Sequence, residues 1–338
     1  MPRLSMVELG RRLGVDRSTV SRALNPEKAH LVAVETRDRI QKEAALAGYT
    51  LDVTAQALRR GRSQTIGILV PDLANETFIN VIRQIVRGIT STADKIGSTT
   101  PLIAECLDKP DETRRLLRTF RLRRVDAIVA LSATELDLDA LREAAADVPV
   151  ILAIRSVAGA VFPSALCDDA FGGAIAAEYL ASRGHKVVCQ IRGPLASATF
   201  KNRSLGFSRV CGARGLIESP SGIEAGRPTS ADAKEALPLI LAAPERPTAV
   251  FAHNDALALG LMEAMRERGL DCPGDLAIVG FNNIELGGVL ATPLTTVDYP
   301  VREVGDHAAH LLRTLIADPT AAWESKTFKP ALIVRASA

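Results

Sequence analysis

The chain has 338 residues, of which 47% are hydrophobic, 24% charged and 4% aromatic, with a formal net charge of +2. It is long enough to bury two or three cores, and its composition excludes a small disulfide-stapled scaffold, a disordered chain and a surface of stacked aromatic rings. The charge is uneven: residues 1–62 carry 12 Lys and Arg against 7 Asp and Glu, net +5, and the rest carries 29 against 32, net −3, so a basic head suited to phosphates precedes a mildly acidic body.

Ser5-Met6-Val7-Glu8 has the S-x-x-E form of a capping box and predicts a helix from about Met6 to Leu13. Gly14 permits a turn, Val15 plugs the corner, and Asp16 is a good N-cap for a second helix through about Leu24. A third helix is expected from about Val34 to Ala47, with Val7, Leu9, Leu13, Val15, Val20 and Leu24 facing inward. This all-α head, residues 1–50, has the pattern of a helix-turn-helix. Residues 51–63, polar and basic with one short helical pattern, read as a linker.

From Gln64 to Ala338 the pattern changes to apolar strands: TIGILVPDL, PLIAECL, AIVAL, VPVILAI, KVVCQI, TAVFAH and LAIVGF, separated by helical stretches. That alternation predicts an α/β body with parallel sheets. FKPALIVRASA reads as a last strand.

Few features suggest catalysis. There is no G-x-S-x-G, no Walker loop, no G-x-G-x-x-G after a strand and no Cys/His metal spacing, so no catalytic residue, metal or cofactor is expected. His307 and His310 share a helical face and read as surface residues, and Gly172-Gly173 reads as close helix packing. The five cysteines lack C-x-x-C spacing and read as reduced core residues. Without an apolar leader or a membrane-length apolar run, the expected compartment is the cytoplasm, with no membrane partner.

In a helix-turn-helix the second helix enters the major groove. Here it offers Arg17, Ser18 and Thr19 first, then Ser21 and Arg22 one turn later. Small hydroxyls allow close approach, and arginine forms a bidentate pair with guanine. A solvated helical hairpin is the plainer alternative.

At these residues the chain resembles the lactose/galactose-repressor (LacI/GalR) family of transcription regulators. The resemblance runs through GVDRSTVSRALN, ETRDRIQKEAALAGY and AQALRRGRSQTIGILVPDLAN, then RRVDAIV, PVILAIR, CDDAFGGAIAAEYLASRGHK, RSLGF, TAVFAHNDALALG, LAIVGFNN and PLTTVDYP. It implies a homodimer on a pseudo-palindromic double-stranded DNA operator. Arg17, Ser18 and Arg22 match base-reading positions, and Thr19, Ser21 and Asn25 match backbone-contacting ones. Val53 to Leu58 is similar to the family's hinge helix, and Leu58 matches the leucine that wedges into the minor groove. Leu51 and Asp52 depart from the usual proline and asparagine, which weakens the expected hinge.

The resemblance also implies a two-lobed, periplasmic-binding-protein-like body, one lobe from about 64–160 and 294–325, the other from about 161–293 and 326–338. Ligands of open α/β sheets bind beyond the carboxyl ends of strands, where Asp72, Arg155, Arg203, Asp255 and Asn282 fall. Arg203 and Asp255 match effector positions most closely. Phe78 keeps part of one aromatic wall, and Tyr299 lies where the lobes cross over. Gly280-Phe281-Asn282-Asn283 stands where the family has G-[FY]-D-[DN], so one acidic group has become neutral and a sugar acid or sugar phosphate joins neutral sugars and polyols as an expected effector.

The expected mechanism is a repressor of carbohydrate-utilisation genes released by its effector; a corepressor of the opposite sign remains open. Two other classes fit the sequence less well. A solute-binding transport protein lacks a basic head, and a sugar-modifying enzyme needs a reactive constellation that is not found here.

Overall fold

The computed structural model describes residues 5–25, 28–47, 49, 62–90, 99–159 and 161–338. The chain divides into two compact units, Met1–Ser63 and Gln64–Ala338.

In the first unit, α1 (Met6–Leu13), α2 (Arg17–Ala23) and α3 (Val34–Leu46) close around Leu9, Val20, Ala23, Ile40 and Ala44. Local chemistry sets the turn. Gly14 adopts φ +67, which glycine tolerates without a Cβ clash, and Val15 N donates to Gly10 O at 3.0 Å. Asp16 caps α2 by accepting from Ser18 N (2.7 Å) and Thr19 N (2.9 Å), and these bonds hold its carboxyl well below the usual range. Helix α3 ties down both helix ends: Arg39 donates to Leu13 O and Gln41 to Ala23 O, each at 3.1 Å.

Two expectations for the head need correction. Only half of the capping box forms: Ser5 accepts from Glu8 N, but the Glu8 carboxylate turns to Arg11 and Arg12. Val7 is 54% exposed, because Met6, Leu9 and Leu13 form the apolar stripe and Val7 falls about 100° away from Met6 on the helix.

The strands of the second unit are, in chain order, β1 (Thr65–Val70), β2 (Thr100–Glu105), β3 (Ala127–Ala130), β4 (Val150–Ile154), β5 (Ser164–Cys167), β6 (Val187–Arg192), β7 (Ile217–Glu218), β8 (Ile223–Glu224), β9 (Ala249–Ala252), β10 (Ala277–Asn282), β11 (Thr295–Asp298), β12 (Lys326–Phe328) and β13 (Ala331–Ile333). They form two sheets, ordered β12-β5-β4-β3-β1-β2 and β13-β11-β10-β9-β6-β7, with β8 also on β6. All pairings are parallel except β11 with β13. The apolar runs read from the sequence are strands because both faces of each sheet are covered by helices.

The chain passes between the sheets three times, at Asp168, Tyr299 and Lys329, always between the β12/β5 edge of one and the β13/β11 edge of the other. The expected lobe boundaries shift accordingly. Ser164–Cys167 pairs with β4 in the first sheet, Thr295–Asp298 belongs to the second, and Lys326–Phe328 returns to the first. FKPALIVRASA is therefore two short strands in different sheets, broken at Pro330, which has no N–H to offer a ladder.

Candidate functional site

On the head, Arg17, Ser18 and Arg22 are exposed along one side of α2, while Thr19, Ser21 and Asn25 are partly buried. The Thr19 hydroxyl donates to Asp16 Oδ2 at 2.8 Å, so it is partly committed to the cap. Val20 and Ala23 anchor the opposite side in the core. Leu51, Asp52 and Leu58 lie outside the described residues.

On the body, the candidates separate into three groups. Arg155 and Arg203 are buried and internally neutralised. Arg155 pairs with Asp108 at 2.6 Å, and Ser132 donates to the same carboxylate at 2.7 Å. Ile154 holds φ +72, and Arg155 N donates to Ala153 O at 2.8 Å, a γ-turn that directs Arg155 away from its strand. Arg203 pairs with Asp169 at 2.8 Å, donates to His253 O, and lies over Phe281 with its guanidinium carbon 3.5 Å from the ring centroid. Burial is the main cause that pushes Asp169 up to about 6, against the pull of Arg203.

The contact between Asp169 and Arg203 follows from glycine. A Cβ at Gly173 would lie 2.0 Å from Arg203 O, and one at Gly206 would lie 1.9 Å from Ala170 O. The helices Asp169–Ser182 and Ala198–Arg214 therefore meet backbone to backbone, which brings the two side chains together.

Asp255 and Asp72 serve local structure. Asp255 is 0% exposed; one oxygen accepts from Thr296 Oγ1 at 2.6 Å and the other from Ile284 N at 2.8 Å. Burial pushes its carboxyl up to about 6. Through these bonds it fastens the loops after β10. Asp72 accepts from Ala74 N at 2.7 Å. Phe78 is buried, with Arg155 5.8 Å from its ring centroid.

Asn282 and Tyr299 do line a cavity. It measures about 320 Å³ and is also bordered by Thr77, Asn80 and Asp298. Asn282 takes φ +113 at the end of β10, and the buried Tyr299 hydroxyl has no hydrogen-bond partner among the described residues. A second cavity of about 170 Å³ is lined by Ile154, Cys167, Asp168, Asp169, Thr199 and Asn202, among others. Thr199 and Asn202 were not singled out from the sequence. The available signal was the strand–loop–helix run from β6 into Ala198–Arg214, because such junctions hold ligands in open sheets.

His307 Nε2 donates to Glu324 O (2.9 Å), and its ring stacks near His310; among the described residues no His/Cys/Asp/Glu group could hold a metal. No described helix is long and apolar enough to cross a membrane.

The whole chain has relatives of known role. It is 30% identical over 335 residues to the HTH-type transcriptional repressor CytR of Escherichia coli strain K12, covering 98% of this chain and 96% of the relative. The chain belongs to the LacI family of transcriptional regulators. It is a DNA-binding repressor rather than an enzyme. The family's PurR repressor from Vibrio cholerae serotype O1 (strain ATCC 39315 / El Tor Inaba N16961) is 30% identical over 312 residues, covering 92% of this chain and 91% of that one. Residues 177–338 match the model described as a periplasmic binding protein-like domain. Two solved LacI-type structures share the fold over 99% of both chains: a LacI family regulator from Silicibacter pomeroyi (24% identity, TM-score 0.81) and the lac repressor dimer bound to operator and the anti-inducer ONPF (23% identity, TM-score 0.80).

Proposed function

We propose that this LacI-family repressor acts in the cytoplasm as a homodimer on a pseudo-palindromic operator, and that a small hydroxyl-bearing effector held in the body releases it. The reading of DNA rests on one observation: Arg17, Ser18 and Arg22 are exposed on a short helix whose cap and core leave its orientation within the head fixed. Arg22 and Arg17 read bases and Ser18 allows close approach, while Thr19, Ser21 and Asn25 meet the backbone. Two such helices in a dimer would sit ~34 Å apart, one turn of the duplex.

The effector reading rests on the two cavities and on the polar groups that line them: Asp168, Asp169, Thr199 and Asn202 in one, Asn282 and Tyr299 in the other. Carboxylates and hydroxyls accept from sugar hydroxyls, which supports the regulation of carbohydrate-utilisation genes. Arg155 and Arg203 shape this interior through their carboxylate partners.

The test is operator selection from random duplexes with the full chain, followed by titration with sugars, polyols and sugar acids. The expected result is an inverted repeat bound by two protomers and released by at least one compound. Selection of no symmetric site would refute the dimeric reading, and a compound that tightens binding would reverse the proposed sign. Coupling is reciprocal, so a compound that weakens operator binding is itself bound more weakly by the operator complex, by the same factor.

A further inference from the structure

We propose that the body itself contacts duplex DNA. Arg118, Arg123 and Arg124, at the carboxyl end of the helix Pro110–Leu122, form a phosphate-binding face at the end of the first sheet where the chain arrives from the head. This rests on the chain being a DNA-binding repressor, and neither on the dimer nor on the effector.

Charge is concentrated at this helix. Residues 109–124 carry seven Lys and Arg against two Asp and Glu, net +5, whereas the other residues from 63 to 338 carry 22 against 30, net −8. Six of the seven cations are arginines, whose planar guanidinium matches a phosphate with two parallel hydrogen bonds. Duplex DNA presents one negative charge per ~1.7 Å, so an acidic body is repelled by the molecule its head binds unless it turns a cationic face toward it.

The pairing pattern singles out the last turns of the helix. Arg115 is held by Glu112 at 2.5 Å, Arg114 by Asp111 at 3.5 Å, and Arg121 by Glu143 and Asp147. Arg118, Arg123 and Arg124 are exposed, and their side chains have no ion pair or hydrogen bond among the described residues.

The backbone at Arg124 supplies an independent observation. Five described helix ends close alike: a left-handed residue is followed by one whose N–H donates to the carbonyl five residues back. The pairs are Val15 with Gly10, Val125 with Phe120, His185 with Leu180, Leu216 with Cys211 and Leu270 with Met265. At four of these ends the left-handed residue is a glycine, Gly14, Gly184, Gly215 or Gly269, at φ between +66 and +90. At the fifth it is Arg124, at φ +51, where a Cβ strains the backbone. A long cationic side chain placed against the local preference points to a use for that side chain.

Topology puts this turn beside the entry of the chain into the body. Gln64 N donates to Asp126 Oδ2 at 2.8 Å, and Asp126 N donates to Thr65 O at 2.7 Å. Arg123 and Arg124 immediately precede this clasp in the run RRVDAIV. The head joins the body through residues 47–64, and so short a tether keeps this end of the body at a local concentration of about millimolar around any duplex the head has bound. Under those conditions weak contacts to phosphate are enough to add affinity.

Anisotropy titrations of the full chain on a random-sequence duplex of about 40 base pairs, repeated across salt concentrations, test the face. The triple variant Arg118→Gln, Arg123→Gln, Arg124→Gly should bind roughly 3- to 30-fold more weakly at low salt, and its slope of log affinity against log salt should flatten by about 1 to 3. Arg124→Gly installs the residue type that closes the other four helices, so the melting temperature should hold or rise, which separates lost affinity from misfolding. Arg115→Gln removes an equal charge from a paired site farther up the helix and should change affinity by less than about twofold. Unchanged affinity and slope in the triple variant would overturn the proposal and leave the face to an acidic protein. An equal loss per charge with Arg115→Gln would reduce the effect to overall charge and overturn it as well. Failure to select a symmetric operator would remove the dimeric reading, while the salt slope on random duplex would still decide the face.

Discussion

Arg203 and Asp169 form a buried ion pair at 2.8 Å, with 3% and 5% of their side chains exposed. The same guanidinium covers Phe281 of β10 and bonds the backbone at His253, so one cation joins two helices and two strand ends.

Removing that cation leaves a carboxylate in the core. Arg203→Ala is expected to destabilise the body by about 3–5 kcal/mol, read by urea denaturation, because an unpaired buried charge is left behind. Asp169→Asn in the same chain should recover part of the loss. The head has its own core, so operator binding at temperatures where the body stays folded should persist. An unchanged denaturation midpoint would show that the pair adds no stability.

Arg22 is exposed and lies opposite the head's core residues. Arg22→Ala should cost about 1–3 kcal/mol of operator affinity and relax preference at one base pair per half-site, as expected for loss of one bidentate contact. Circular dichroism should show the head unaltered. Equal losses on operator and on random duplex would instead assign Arg22 to phosphate.

The buried carboxyl of Asp255 gives stability a pH dependence of unusual sign. Burial raises it from 3.8 to about 6, so the folded state holds the proton more tightly than the unfolded state. Its contribution is fully present below pH 3.8 and is lost as pH rises through about 6. The change is on the order of 3 kcal/mol, and Asp169 acts in the same direction. Asp255→Asn can keep a bond to Ile284 N and one to Thr296, and should flatten this part of the profile. Identical profiles for the two proteins between pH 4 and 7 would contradict the assignment.

Gly206→Ala places a methyl 1.9 Å from Ala170 O, backbone that cannot move aside as a side chain would. The helices must separate, at a cost of about 1–3 kcal/mol or more. Effector binding should weaken with it, because Asp169 and Arg203 sit on those helices. Gly212→Ala on the same helix meets nothing within 4 Å and serves as the control.

The head was legible because local chemistry determines it. Asp16, Gly14 and the Leu9/Val20 spacing act over a few residues, and only the phase of Val7 and the Glu8 half of the capping box were misread. The strongly apolar strands were legible for a similar reason. β5, β7 and β12 span only two to four residues, too few to show a period, and their membership depends on pairing across many residues, as Ser164 with Leu152.

The ligand site was harder to read because residue type does not reveal the partner. Asp255 reads as a ligand acceptor in the sequence, and only the fold shows that its two oxygens also accept from Ile284 N and Thr296. Arg155 and Arg203 read as ligand-facing residues in the sequence, whereas the fold pairs them with Asp108 and Asp169.

The three passages between the sheets all leave from one margin, the β12/β5 side of the first and the β13/β11 side of the second. A triple tether along one border acts like the spine of a book. It resists sliding and lets the halves swing, with β2 and β7 as the fore-edges that travel farthest. A tiny displacement where a solute touches near the spine is thus magnified at those outer strands, and this lever arm suits a molecule whose output must be felt far from its input.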